Sequence, residues 1–149
     1  RNRKEAAMES VSQLLKAKGS TVFSRGSGES VLVAVKLMAE KSIGALLVME
    51  GGQIAGILSE RDYARKVILH GRASHSTEVR EIMSSNVHTV GLAHTVEDCM
   101  ALMTAKRIRH LPVVDGRHVV SMLSIVDSVK VVIADPQVTT RQLESHIHA

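Results

Sequence analysis

An internal repeat limits the folds open to this chain more than any single motif does. Residues 30–63 align without a gap with residues 95–128 at a constant offset of 65 residues (127 − 62 = 65). Of the 34 aligned positions, 11 are identical. The identical pairs include a turn glycine, Gly51/Gly116, and a terminal Ser and Asp, Ser59/Ser124 and Asp62/Asp127. Chance similarity of two helices would not carry these together, so the pattern indicates a duplicated unit.

Each copy predicts the same order of elements. Apolar residues at i, i+3, i+4 and i+7 predict a helix from Val31 and another from Val96, with Ser30 and Thr95 as N-caps. A hairpin with a glycine turn and a second helix follow in each copy. The predicted strands are Val22–Ser24, Ala45–Met49 and Ile54–Leu58, then Val87–Val90, His110–Val114 and Val119–Leu123; the predicted exit helices are Glu60–His70 and Ile125–Ala134.

One helix–hairpin–helix unit cannot bury both of its apolar surfaces, but two copies can cover each other, which predicts an α/β (α+β) globule with pseudo-twofold symmetry. Apolar residues on one face of residues 4–18, followed by Gly19, predict an extra amphipathic N-terminal helix. The predicted organisation is an N-terminal helix at 1–19, a first repeat at 20–72, a linker with a short helix (Val79–Met83) at 73–84, a second repeat at 85–135, and a tail of helical promise at 136–149.

Composition argues against several classes of function. The net charge is +4, but the basic residues are interleaved with acidic ones, and aromatic residues make up 1% of the chain, so we expect no nucleic-acid binding. We also expect no membrane span, no signal peptide and a cytoplasmic location. Cys99 lies in an apolar helical stripe and the eight His are dispersed, so we expect neither a nucleophile nor a metal site. What precedes Arg1 is left open.

The "IRHLPVVDG" hairpin, the Ser-x-x-Asp at each strand exit and the phrases "IGALLVMEGGQIAGILSERDY" and "VREIM" together resemble the cystathionine-β-synthase (CBS) domain family. The resemblance covers roughly Thr21 to Lys130 and is to a tandem pair, the Bateman module, as in stand-alone bacterial two-repeat proteins. It implies duplicated βαββα units, homodimerisation, no catalysis, and adenine nucleotides bound in clefts between the repeats.

The resemblance therefore implies a regulatory module that senses energy or redox state and signals to an effector protein. AMP or ATP are the expected ligands, NAD(H) is a further candidate, and S-adenosylmethionine also occurs in the family. A structural homodimerisation module without a physiological ligand is the alternative.

Ser124 and Asp127 stand where a strand ends and a helix begins. The carboxylate of Asp127, on the first helical turn, could accept hydrogen bonds from the two vicinal hydroxyls of a ribose. The alternative is an ordinary N-cap with an acidic first turn, and the same pair at Ser59 and Asp62 does not separate the two interpretations. The resemblance implies ribose contact.

Arg109 and His110 replace Gly44 and Ala45 of the first repeat, so their charge is not needed by the shared fold. An Arg at this place offers a planar fork that suits phosphate. The alternative is a solvated Arg beside a half-buried His. The resemblance implies phosphate contact just before the Leu-Pro step, Leu111 and Pro112.

In the first repeat the cations sit instead at Arg61 and Arg65, which an exposed basic helix face also explains. We expect two non-equivalent sites, one for a compact mononucleotide and one open to a dinucleotide such as NAD(H). By resemblance, the adenine pocket involves the strand entries, with Ser24, Thr89 and Val90, and a close backbone approach at Gly44 and Ala45. Plain β-core is the alternative.

Overall fold

The computed structural model describes residues 3–133, and these residues fall into two compact units. The first-repeat unit is Val22–His88. The second-repeat unit combines residues 3–21 with residues 89–133. The tail predicted for 136–149, and Ala134 at the end of the last predicted helix, lie outside the described residues.

Apart from the N-terminal segment described below, the helices and strands follow one another in the predicted order. In chain order they are α1 (Arg3–Ala7), α2 (Val11–Lys18), β1 (Ser24–Gly26), α3 (Val31–Lys41), β2 (Ala45–Glu50), β3 (Gln53–Ser59), α4 (Glu60–Tyr63), β4 (Val90–Gly91), α5 (Val96–Lys106), β5 (His110–Asp115), β6 (His118–Ser124) and α6 (Ile125–Ile133). A π-helical turn, Ala64–Ile68, extends α4, and 3-10 turns occur at Ser74–Ser76 and Val79–Glu81. The mixed α/β class is confirmed.

Each unit contains one three-stranded sheet. The strand order is β1-β2-β3 in the first-repeat unit and β4-β5-β6 in the second, with a parallel pair followed by an antiparallel hairpin in both. Both hairpins turn at a glycine with positive φ, 55° at Gly51 and 62° at Gly116, which explains why both copies keep glycine there. The entry strands begin two or three residues later than predicted, at Ser24 and Val90.

The long helix of each repeat begins at its predicted N-cap. The hydroxyl of Ser30 accepts a hydrogen bond from the Val33 amide, and that of Thr95 accepts from the Asp98 amide. Helix α3 buries Val31, Ala34 and Met38, and helix α5 buries the aligned Val96, Cys99 and Met103. These side chains belong to two separate hydrophobic cores, one in each unit.

The predicted extra N-terminal helix is present as α2, Val11–Lys18, but the segment predicted as helical is interrupted before it. The helix is interrupted between α1 and α2. At the interruption, Ser10 forms a capping box with Gln13 and a β-bridge to Thr95. Backbone bonds on either side of the break run from the Val11 amide to the His94 carbonyl and from the Val96 amide to the Glu9 carbonyl. These partners are distant in sequence, so helical periodicity could not reveal them.

The segment predicted as a linker packs in the first-repeat unit as α2 packs in the second. The Val31 amide donates to the Thr77 carbonyl and the Val79 amide donates to the Glu29 carbonyl, which repeats the pattern around Glu9 and Val11. Val79 and Ile82 are fully buried in the core of this unit. The short helix expected at Val79–Met83 is a 3-10 turn, Val79–Glu81.

Within residues 3–133, no helix is both long and apolar enough to cross a membrane.

Candidate functional site

The fold of the second repeat brings the predicted cations and the predicted carboxylate to one corner. His110, the first residue of β5, pairs across the hairpin with Ser124, the last residue of β6. The Arg109 carbonyl accepts a hydrogen bond of 2.8 Å from the Ile125 amide at the start of α6. We call Arg109, His110, Ser124 and Asp127, with the lysine described below, the second-repeat corner.

Asp127 and Ser124 form a reciprocal cap on α6. The Oδ2 atom of Asp127 accepts from the Ser124 amide at 2.7 Å and from the Ser124 hydroxyl at 3.1 Å, and the Asp127 amide donates to Ser124 Oγ at 3.2 Å. The capping interpretation therefore describes contacts that the structure contains. It leaves Asp127 Oδ1 without a hydrogen-bond donor from residues 3–133, so this carboxylate oxygen keeps unused acceptor capacity.

Lys18 is the residue of this corner that the sequence motifs did not identify. Its Nζ atom lies 2.6 Å from Asp127 Oδ2 and 2.5 Å from the Met122 carbonyl oxygen. Lys18 is the last residue of α2 and stands far from Asp127 in sequence, so no local pattern connects the two.

Burial and charge set the protonation of the corner. Burial raises the pKa of Asp127, but hydrogen bonds from Lys18 and Ser124 and the Lys18 charge outweigh it, so the pKa lies below its usual value. Burial, with the positive charges of Lys18 and Arg109, lowers the pKa of His110 against the opposing effect of Asp127. At neutral pH the corner thus holds an ionised carboxylate, two cations and an uncharged imidazole.

The corresponding corner of the first repeat has the same cap and different charges. Asp62 Oδ2 accepts from the Ser59 amide at 3.0 Å and from the Ser59 hydroxyl at 2.9 Å. Lys66 Nζ lies 3.2 Å from Asp62 Oδ1, and the Ser84 hydroxyl lies 3.5 Å from the same oxygen. The Gly44 carbonyl accepts from the Glu60 amide at 3.0 Å, as the Arg109 carbonyl does in the second repeat.

The remaining predicted residues divide between surface and core. Arg61 and Arg65 are exposed on α4 and the π-helical turn, and neither forms an ion pair with another residue in the range 3–133. Ser24 and Thr89 are exposed at or just before the entry strands. The buried members of the predicted set are Ala45, Val90, Leu111 and Pro112.

Within residues 3–133, Cys99 and the histidines form no second candidate centre. Burial raises the pKa of the Cys99 thiol to about 11, which keeps the sulfur protonated and unreactive at neutral pH. Among the residues the structure describes, no group of three or more His, Cys, Asp and Glu side chains is placed to hold a metal ion.

A family model and two related proteins identify the same type of domain in this chain. The family model of the CBS domain matches residues 26–69 and 79–132. The chain is 36% identical to the CBS domain-containing protein CBSX3, mitochondrial, of Arabidopsis thaliana over 154 residues, which cover 96% of this chain and 75% of that protein. It is 31% identical to the CBS domain-containing protein YhcV of Bacillus subtilis over 120 residues, 80% of this chain and 83% of that protein.

A solved structure agrees with these matches. It is that of a candidate signal-transduction protein with CBS domains from Burkholderia ambifaria MC40-6, which superimposes with a TM-score of 0.82 at 52% identity and covers 85% of this chain and 96% of its own.

Proposed function

The chain belongs to the CBS domain family as a tandem pair of repeats, and from this premise we propose that it is a regulatory module that binds adenine nucleotides. AMP or ATP are the proposed ligands, with NAD(H) as a further candidate. Tandem CBS repeats are typical of regulatory and signal-transduction proteins, and the proposal adds the ligand class and the residues that hold it.

The observation that carries the proposal is the pairing of opposite charges at the second-repeat corner. His110 lies across the hairpin from Ser124, and Asp127 is on the first turn of the helix that Ser124 caps. The Arg109 carbonyl accepts from the Ile125 amide at the start of the same helix, so the cationic Arg109 and the anionic Asp127 both belong to this corner although they lie at opposite ends of the hairpin in sequence. A ribonucleotide 5′-phosphate has the complementary pattern, with a diol at one end and an anion at the other.

Each group has a chemical role in this proposal. Asp127 accepts from the two vicinal ribose hydroxyls, one at Oδ1 and one at Oδ2, and each such hydrogen bond to a charged group contributes about 1.5–3 kcal/mol. The exposed Arg109 guanidinium offers two parallel N–H donors to a phosphate. His110, half-buried and uncharged at neutral pH, supplies a further N–H.

We propose that the two corners bind differently. Gly44 and Ala45 carry no charge where the second repeat has Arg109 and His110, and the first repeat places its exposed cations on the exit helix instead, at Arg61 and Arg65. We propose that one corner binds a compact mononucleotide and that the other accepts a dinucleotide such as NAD(H). The proposed adenine contacts remain Ser24, Thr89 and Val90.

Ligand binding would act on a partner through a population shift. A ligand changes the balance of two conformations only by its different affinity for them, which is typically about 1–3 kcal/mol. We propose that an effector protein detects this shift. We also propose that the module is a homodimer and that its role is regulatory, not catalytic. A cytoplasmic location stays a prediction.

Thermal unfolding with and without nucleotide tests the proposal. At a ligand concentration of 100 Kd, binding to the folded state alone adds about 2.7 kcal/mol of stability, so AMP, ATP or NADH should raise Tm. Asp127→Asn and Asp62→Asn are the informative variants, because an amide oxygen still accepts from the cap amide, whereas alanine would also remove the cap. Each should reduce the shift, and the double variant should abolish it.

Absence of any shift with all three ligands would favour the alternative of a structural homodimerisation module. Chromatography of the nucleotides after incubation checks for turnover, which would assign an enzymatic function instead.

A further inference from the structure

The ammonium of Lys18 occupies the carboxylate that the proposed function assigns to ribose. Asp127 Oδ2 accepts three hydrogen bonds, from the Ser124 amide, the Ser124 hydroxyl and Lys18 Nζ. A carboxylate oxygen has about two lone-pair positions, so Oδ2 has no capacity left for a ligand. A diol that uses both oxygens of Asp127 must therefore displace Lys18.

Displacing an ammonium from a short, partly buried ion pair is unfavourable unless the ammonium finds another anion. The side chains of Lys18 and Asp127 are 30% and 19% exposed, so both charges are substantially shielded from water. An uncharged nucleoside supplies no replacement anion. A nucleotide supplies a phosphate, at the end of the ligand that the exposed Arg109 would hold.

Lys18 is placed to make that exchange. It is the last residue of α2, and Gly19 follows it with a φ of 90°, so the helix ends at the lysine and nothing continues it. Its four-carbon stem turns freely through several rotatable bonds, which lets the ammonium move while the backbone of α2 stays in place.

We propose that Lys18 determines specificity at the second-repeat corner by exchanging the Asp127 carboxylate for the phosphate of an incoming ribonucleotide. The corner then selects phosphorylated nucleosides over unphosphorylated ones. This inference rests on the proposed function, because it assumes that Asp127 contacts the ribose.

The first-repeat corner lacks this arrangement. Asp62 Oδ2 accepts only the two Ser59 donors within residues 3–133, and its lysine, Lys66, is a residue of the same helical segment that contacts Oδ1 instead. At the oxygen that closes the cap, a ligand there therefore meets no cation from elsewhere in the described part of the chain.

Isothermal titration with AMP and with adenosine tests the inference. All variants carry Asp62→Asn, which weakens the first corner so that the second dominates the heat. In this parent, AMP should bind more tightly than adenosine. Lys18→Met should reduce the AMP-to-adenosine affinity ratio by about tenfold, with adenosine binding more tightly than in the parent, because the competing ion pair is gone.

Two variants control for charge and folding. Lys16→Met makes the same change in charge on an exposed residue of the same helix and should leave the ratio unchanged. Lys18→Arg keeps a cation and should keep most of the preference for AMP, which also guards against misfolding of the methionine variant. An unchanged ratio in Lys18→Met, or an equal loss of both affinities, would overturn the specificity role while leaving nucleotide binding intact.

If the parent binds neither compound, the proposed function fails together with the inference that rests on it. That result is recognisable because no variant then gives a binding isotherm.

Discussion

The first-repeat corner and the second-repeat corner have the same Ser–Asp cap, but different chemical groups contact that cap. In the first-repeat unit the Ser84 amide donates a hydrogen bond of 2.9 Å to the Ile57 carbonyl, and the Ser84 hydroxyl lies near Asp62. In the second-repeat unit a single ammonium, that of Lys18, contacts the aligned carbonyl of Met122 and the aligned Asp127. A neutral backbone contact in one repeat is a charged side-chain contact in the other.

This difference shows where duplicated folds gain functional asymmetry. The hairpins, caps and cores are nearly interchangeable, but the segment that covers each corner comes from a different part of the chain. In one unit it is the residues after the first repeat, and in the other it is α2. Lys18 and Ser84 belong to these covering segments, so the two corners differ although their caps are the same.

Gly56 gives the largest test of the comparison. A Cβ atom there would lie 2.8 Å from the Ser84 carbonyl oxygen and 2.8 Å from Met83 Sδ, so the covering segment approaches too closely for any side chain. The second repeat has Ser121 at this position, since 121 − 56 = 65. We expect Gly56→Ser to lower the free energy of unfolding by roughly 1–3 kcal/mol, measured by urea denaturation.

Ser121→Ala is the matched control. The Ser121 hydroxyl is fully buried and has no hydrogen-bond partner within residues 3–133, so its removal should be neutral or stabilising. A neutral Gly56→Ser would show that the covering segment moves aside at little cost.

The second test uses pH, because the first repeat has Ala45 where the second has His110. Since the folded-state pKa of His110 lies below 6.5, the unfolded chain binds the extra proton first as pH falls. The free energy of unfolding should therefore decrease as pH falls from about 6.5 towards the folded pKa, by at most about 1.4 kcal/mol per pH unit for one proton.

His110→Ala should flatten this dependence in urea titrations between pH 7.5 and 5, and His118→Ala, on the exposed turn side of the same hairpin, should not. Equal slopes in all three proteins would mean that His110 is not held uncharged by the fold. Below about pH 4, loss of the lowered-pKa Asp127 charge should destabilise every variant that retains Lys18.

The smallest test compares the caps of the two long helices. Thr95 forms a full capping box with Asp98, whereas Ser30 has Val33 at the corresponding position and makes only one of the two bonds. Alanine at either cap should cost about 1 kcal/mol, and Thr95→Ala should cost a few tenths more than Ser30→Ala. Chemical denaturation resolves the order, and a larger loss for Ser30→Ala would contradict it.

Local features of the chain were predictable because neighbours in sequence create them. The glycine turns at Gly51 and Gly116, the caps at Ser30 and Thr95 and the apolar stripes all depend on residues within one or two turns of one another. The adjacency of Arg109 and His110 to Asp127 was also predictable, because one hairpin joins them. The tandem CBS family followed from the same local motifs and is confirmed.

Long-range pairings were not predictable. The helix break at Ser10 depends on the backbone around His94 and Thr95, and the burial of Val79 depends on the backbone of Glu29. Apolar periodicity describes which face of a segment is buried, but it contains no information about the backbone atoms that a distant segment offers.

By itself, then, the sequence determined the repeat, the order of elements in each copy and the residue types at each exit corner. Only the tertiary structure decided which segment covers each corner, and it placed Lys18 on Asp127. The physical reason is the range of the interactions. Turns, caps and helical stripes arise between neighbours along the chain, whereas an ion pair between residues 109 positions apart exists only once the second-repeat unit has folded.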